Sequence, residues 1–307
     1  MADTKTTDLA ELTAPSPLDR AMLVDVSDTS MAASGTNKDI ALGTLLGALT
    51  SNVISGLTLS NNTTDASNDI DIAAGVATVS DGTSWHLASL ASTLVKRLDA
   101  SWAVGTNQGG LDTGTEANST WYHVWLIQRS DTGVVDVLFS VSATAPTMPS
   151  VEYDRKRRIG AIYNNSSGNI AAFTQLLDTF IWSTPPADVT ATNPGTSAVL
   201  RTMSVPTGVS VIVDWAASII DATFGMVSIY GLISSPAAAD VTPSGTAGTH
   251  NMIVTLGGLS PTILAGASSG RAITNTSGQL RSRLNVSDAD ITLRMFVLAW
   301  RDPRGNT

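Results

Sequence analysis

The densest run of charge in the chain is Arg155-Lys156-Arg157-Arg158. Four consecutive cations can hold an anion or a phosphate backbone. They can equally form a strand entrance that pairs with Glu152, Asp154 and a neighbouring subunit. The second reading is favoured, because the surrounding stretch is acidic and repels phosphate. Asn61, Asn62, Asp65, Asn68, Asp69 and Asp71 offer the hard oxygens that calcium prefers. Their spacing lacks the central glycine and closing glutamate of an EF-hand loop. Asn and Asp also stabilise turns by bonding their own backbone, so turns are expected here. Trp85, Trp102, Trp121 and Trp125 could stack on sugar rings through their apolar faces. Core or subunit-interface packing is the favoured role for them.

The remaining chemistry is thin. The chain has three histidines, His86, His123 and His250, each isolated in sequence, and no cysteine. That excludes a disulfide framework, a cysteine nucleophile and a thiolate metal site. No His-Glu-x-x-His pair or phosphate loop is present. The scattered aspartates cannot be assigned to the opposed pair a glycosidase needs. No catalytic, cofactor-binding or metal-ligating residue is assigned, and the chain is expected not to be an enzyme.

These side chains must be positioned by strands. Of 307 residues, 43% are hydrophobic, 14% are charged and 5% are aromatic. This is too apolar and too weakly charged for a disordered chain. Apolar runs are short, so no membrane helix is expected, and the first residues do not read as a secretory signal. The chain has 17 Lys+Arg against 26 Asp+Glu, a formal charge of −9, which disfavours a nucleic-acid partner. Glutamate occurs only at 11, 116 and 152, and lysine only at 5, 38, 96 and 156. Surface helices lean on those two residues. Ser, Thr, Gly, Ala, Asn and Val fill the chain instead, which suits strands and turns. The expected class is all-β and multi-domain.

Three units are expected. Residues 1–52 form a small N-terminal unit of charge −4. It has a strand at 21–26 and a short helix at 40–49, and it is too small to be stable alone. Residues 53–178, of charge −5, form a middle antiparallel β domain. Short strands at 57–59 and 70–72 flank the Asn/Asp loop. Hairpins join 123–127 to 134–139 and 159–163 to 170–174. One helix is expected at 87–98, which ends in Lys96-Arg97 with the charge sign favoured at a helix C-terminus. Residues 179–307, of charge zero, alternate with period two. Val209, Val211, Val213 and Trp215 share a face, as do Val227, Ile229, Gly231 and Ile233, and so do Ile291, Leu293, Met295, Val297 and Ala299. Further strands are expected at 252–256 and 272–275. A C-terminal β-sandwich or jelly roll follows. No fixed period supports a solenoid.

Two stretches carry a family resemblance. Residues 23–38, Leu-Val-Asp-Val-Ser-Asp-Thr-Ser-Met-Ala-Ala-Ser-Gly-Thr-Asn-Lys, with Ile40-Ala-Leu-Gly-Thr-Leu45, resemble an N-terminal segment of tailed-bacteriophage tail fibre and virion structural proteins. Residues 57–75 resemble a module of phage and prophage structural proteins. That module continues through 96–105, 109–114, 122–126 and 155–160, so the resemblance covers roughly residues 1–175. It implies a virion component assembled in the host cytoplasm, usually trimeric in fibres, and it brings no list of functional residues. The fibre reading assigns residues 1–52 to anchoring on other virion proteins. It assigns 179–307 to presentation, possible partners being a host surface glycan or protein. Expected partner contacts are Leu23, Val24, Val26, Leu42, Leu45 and Leu46 in the N-terminal unit, and Arg155, Arg157 and Arg158. A tail fibre or baseplate-associated fibre leads. A head fibre or capsid decoration protein is the alternative. A polysaccharide depolymerase ranks lower, since depolymerase spikes are often long β-helices.

Overall fold

The computed structural model describes residues 20–25, 30, 36–41, 53–222, 228–246, 252–255 and 264–305. Among them are twenty-two strands and no helix, so the class is all-β. β1 (Arg20–Asp25) and β2 (Thr36–Ala41) form an antiparallel hairpin, in register from Arg20 opposite Ala41 to Asp25 opposite Thr36. An exposed Arg20–Asp39 ion pair bridges its two strands. The strand expected at 21–26 is β1. The helix expected at 40–49 begins inside β2 instead, and residues 42–49 lie outside the described residues.

Residues 54–164 build one ten-stranded sheet. In chain order its strands are β3 (Ile54–Gly56), β4 (Leu59–Asn61), β5 (Asp69–Ile72), β6 (Gly75–Ser80) and β7 (Trp85–Leu90), then β8 (Leu94–Ser101), β9 (Gln108–Leu111), β10 (Thr120–Gln128), β11 (Val135–Ser140) and β12 (Arg155–Asn164). The spatial order is β3-β6-β12-β10-β11-β9-β8-β5-β4, with β7 on β6. Pairing is antiparallel except at β9, which runs parallel to both β8 and β11. The β10–β11 hairpin is the one expected from sequence, and Gly133 at φ 73° makes its reversal.

Two expectations in this region are corrected. Residues 87–98 are not a helix: they end β7 and begin β8, either side of a turn. Burial there has period two, with Ala88 and Leu90 inward on β7 and Leu94, Lys96 and Leu98 inward on β8. Ladder partners β6 and β5 are available on the flanks, and Ser89, Ser92 and Thr93 give a helix little support. Residues 170–174 do not return along 159–163 either. Only Ile170 bridges back, to Asn164. Phe173 then leaves the sheet to pair with Trp182 in the next hairpin, where its ring packs on Phe180 at 5.7 Å.

The rest of the chain forms two further sheets. Its strands are β13 (Phe173–Leu176), β14 (Thr179–Trp182), β15 (Ala187–Thr192), β16 (Val199–Thr202) and β17 (Ile212–Asp221), then β18 (Ser228–Ser234), β19 (Met252–Thr255), β20 (Leu264–Ile273), β21 (Gln279–Leu284) and β22 (Ile291–Arg301). One sheet runs β15-β22-β17-β20, with the β13–β14 hairpin added along β22. The other runs β16-β21-β18-β19. Eight antiparallel strands distributed in this order have jelly-roll connectivity. The period-two faces read from the sequence point into this sandwich. Val211, Val213, Trp215, Ile229, Ile233, Ile291, Leu293, Met295 and Val297 are all buried. Gly270 is required opposite Trp215, since a Cβ there would sit 2.5 Å from the indole Cζ2.

A single buried apolar cluster runs from Leu57, Ile72 and Val124 of the ten-stranded sheet to Trp215, Ile219 and Leu293 of the jelly roll. Aromatic rings carry it across. Trp121 lies 5.9 Å from Trp182 and 5.5 Å from Trp300, and Phe180 stacks on Trp300 at 5.2 Å. The 178/179 division falls in the turn of the β13–β14 hairpin, and this core is continuous on both sides of it.

Candidate functional site

The four-cation run opens β12. Arg155 lies opposite Gln128, Lys156 opposite both Ile127 and Ser80, Arg157 opposite Leu126 and Arg158 opposite Trp125. A bulge follows. Gly160 faces Val124 while Arg158 faces the next residue, Trp125, so Ile159 is the extra residue. Such an insertion bends the strand and re-aims the side chains beside it.

Two of these cations are consumed inside the chain. Arg158 is buried and makes a two-pronged ion pair with Asp302, its Nη1 donating to Oδ2 at 2.7 Å and its Nη2 to Oδ1. Arg157 is also buried. Its Nη1 donates to the Thr78 carbonyl at 3.2 Å and to Thr78 Oγ1 at 3.1 Å, and its Nε donates to the Arg304 carbonyl at 3.1 Å. Burial, reinforced by the nearby Arg304 charge, pulls the Arg157 guanidinium down to about 10. Arg304 completes the clasp. Its Nε donates to the Ile159 carbonyl at 2.8 Å and its Nη2 to the Leu57 carbonyl at 2.6 Å, while its backbone N–H donates to Asp302 Oδ1 at 2.7 Å. The segment after β22 is thereby bound to the ten-stranded sheet.

His123 sits in the same region, fully buried on β10. Its Nε2 lies 2.9 Å from the Thr207 carbonyl. A carbonyl only accepts, which assigns the ring proton to Nε2 and leaves Nδ1 as a bare acceptor. Burial, and then the Arg158 charge, push this histidine down to about 4. It is a neutral structural group at neutral pH.

Between this clasp and the jelly roll lies a cleft of ≈ 710 Å³. Lys156, Arg157, Arg158 and Trp85 form one side, Val209 and Ser210 the other. Trp85 is half-buried. The other three tryptophans named above pack. Trp125 donates its Nε1 to the Ser142 carbonyl at 3.1 Å, Trp121 lies in the aromatic joint, and Trp102 covers the Lys96 ammonium at 5.3 Å.

The other expected positions separate clearly. Leu23 and Val24 are in β1, while Val26, Leu42, Leu45 and Leu46 lie outside the described residues, as does His250. Arg155 is half-buried at the start of β12, 3.4 Å from Gln128 Oε1. The Asn/Asp cluster makes turns. Asn62 Oδ1 accepts from the N–H groups of Thr64 and Asp65, and Asp65 Oδ1 accepts from those of Ser67 and Asn68. Among the described residues, no group of three or more His, Asp or Glu is placed to hold a metal.

Sequence reasoning missed four polar residues. Lys96 and Asp136 form a fully buried pair, Nζ to Oδ1 at 3.0 Å, and burial lowers the lysine while Asp136 offsets part of that. The available signal was the Leu94-x-Lys96-x-Leu98 alternation, which points Lys96 inward once β8 is read as a strand. Asp302 and Arg304 carried no local signal, because their partners lie more than a hundred residues away. In comparisons with known proteins, no family model matches the chain and no curated protein matches it.

Proposed function

We propose that this chain is a non-enzymatic structural subunit of a tailed-bacteriophage virion, a tail fibre or baseplate-associated fibre that takes part in host attachment. The observation that carries the reading is the union of a jelly roll with the β module of residues 54–164, the module that bears the family resemblance. Jelly rolls are common in viral structural and lectin-like domains. In this reading residues 1–52 attach the subunit to other virion proteins and the jelly roll lies outward.

One exposed surface supports oligomerisation. The outward face of the β22-β17-β20 sheet presents Ala216, Ser218, Ala267, Ser269 and Phe296, with exposed Leu298 beside them. Small apolar and hydroxyl side chains are buried between subunits at low desolvation cost. The subunit is a homo-oligomer in this reading, a trimer as fibres usually are.

Light scattering on the purified chain gives a trimer mass if the reading is right, and gold-labelled antibody decorates virions at the tail or baseplate. A stable monomer that never labels particles overturns it. Label on the head selects the head-fibre or capsid-decoration alternative. Release of oligosaccharides from host capsule selects a depolymerase.

A further inference from the structure

The cleft between β12 and the jelly roll has a composition unlike the surface around it. Residues 53–178 carry seven Lys+Arg against twelve Asp+Glu. The cleft lining nevertheless holds Lys156, Arg157 and Arg158 and no carboxylate. Asp302, the acid bonded to this group, is held by Arg158. Lys156 is half-buried, and no ion pair among the described residues involves it. The wall beside it is Trp85, half-buried and at the start of β7. Ser80 and Ser210 also line the cleft.

These features select a ligand class. Local positive charge calls for an anionic group. The acidic surroundings repel an extended polyanion such as nucleic acid, so the anion must be small and its charge localised. A flat indole face beside hydroxyls suits the apolar face and the rim of a sugar ring. A volume of ≈ 710 Å³ lies within the range of small-molecule sites. We propose that this cleft binds a carboxylate-bearing saccharide, with Lys156 meeting the carboxylate, Trp85 covering one ring face and Ser80 and Ser210 hydrogen-bonding hydroxyls. Lys156 supplies the charge that meets the ligand, and the buried Arg157 and Arg158 hold the floor of the cleft. The biological setting, an acidic glycan of the host surface, rests on the virion reading above. The binding chemistry does not, and it places recognition beside the middle sheet rather than on the jelly roll alone.

The test titrates the full-length protein with digalacturonate, following tryptophan fluorescence and heat. Cellobiose serves as the neutral sugar and inorganic phosphate as the bare anion. Saturable digalacturonate binding that weakens with added salt is expected, with cellobiose and phosphate at least about ten-fold weaker. Lys156→Gln and Lys156→Glu are expected to weaken it by about ten-fold or more with unchanged melting, because they remove a partly exposed charge. Lys38→Glu, on the β1–β2 hairpin, leaves it unchanged. Absence of saturable binding overturns the proposal, as does an unaltered affinity in both folded Lys156 variants. Equal binding of phosphate or of cellobiose removes the saccharide or the charge requirement and overturns it too. Particle labelling is read separately, so loss of either result leaves the other standing.

Discussion

Two regions fasten the ten-stranded sheet to the jelly roll, and they do so by opposite means. The aromatic joint of Trp121, Phe180, Trp182 and Trp300 works by area and ring geometry. The clasp of Arg157, Arg158, Arg304 and Asp302 works by charge and hydrogen bonds in a dry setting. The joint is indifferent to pH, and it weakens in proportion to the volume removed. The clasp is all-or-none. A buried ion pair contributes little net stability over an apolar substitute, yet deleting one partner strands the other charge. The joint supplies adhesion, and the clasp fixes which residues meet.

That contrast can be broken in measurable steps. Asp302→Ala leaves Arg158 buried without its carboxylate and frees the Arg304 N–H, so it should cost about 3–5 kcal/mol in urea unfolding. A loss below about 1 kcal/mol would show that the clasp is solvated and that the two regions are alike.

Acidification tests the clasp next, through His123. Its folded value of about 4 lies below its unfolded value near 6.5, so the unfolded chain binds the extra proton between those pH values. The contribution is present above pH 6.5 and is lost as pH falls towards 4, about 3 kcal/mol in all. Urea midpoints from pH 7 to pH 4 should show that slope, and His123→Gln should flatten it.

In the joint, Trp300→Phe removes part of a buried ring but breaks no hydrogen bond, since Nε1 has no partner among the described residues. A loss of about 1–2 kcal/mol is expected, with no change in the pH slope. The smallest effect belongs to the exposed Arg271–Asp214 pair across β17 and β20. Arg271→Ala should leave the melting temperature unchanged within error, because solvent screens such pairs.

What could be read from sequence followed the range of the interaction. Alternation of Val211, Val213 and Trp215, or of Ile291 through Val297, is a local property of a half-buried strand and was legible. Residues 87–98 were misread because Leu87, Leu90, Leu94 and Leu98 satisfy a helical period as well, and only the neighbouring ladders decide between the two. The Arg155–Arg158 run was visible as charge, but its counterpart Asp302 lies 144 residues on. Nothing near either site indicates that pairing. The cleft was half legible: its cations and Trp85 stood out, whereas the jelly-roll residues that close it, such as Ser210, are ordinary loop residues in sequence.

The place of β22 in its sheet has a consequence for synthesis. It receives β17 along one edge and both β14 and β15 along the other, yet it leaves the ribosome after all of them. Until it arrives, three strands wait with open edges, and the sandwich has no centre around which to close. The clasp at Asp302 and Arg304 forms later still. A nascent subunit interrupted before residue 291 therefore lacks a closed jelly roll, the Trp300 part of the joint and the clasp. Such a fragment is left to chaperones and proteases rather than to assembly.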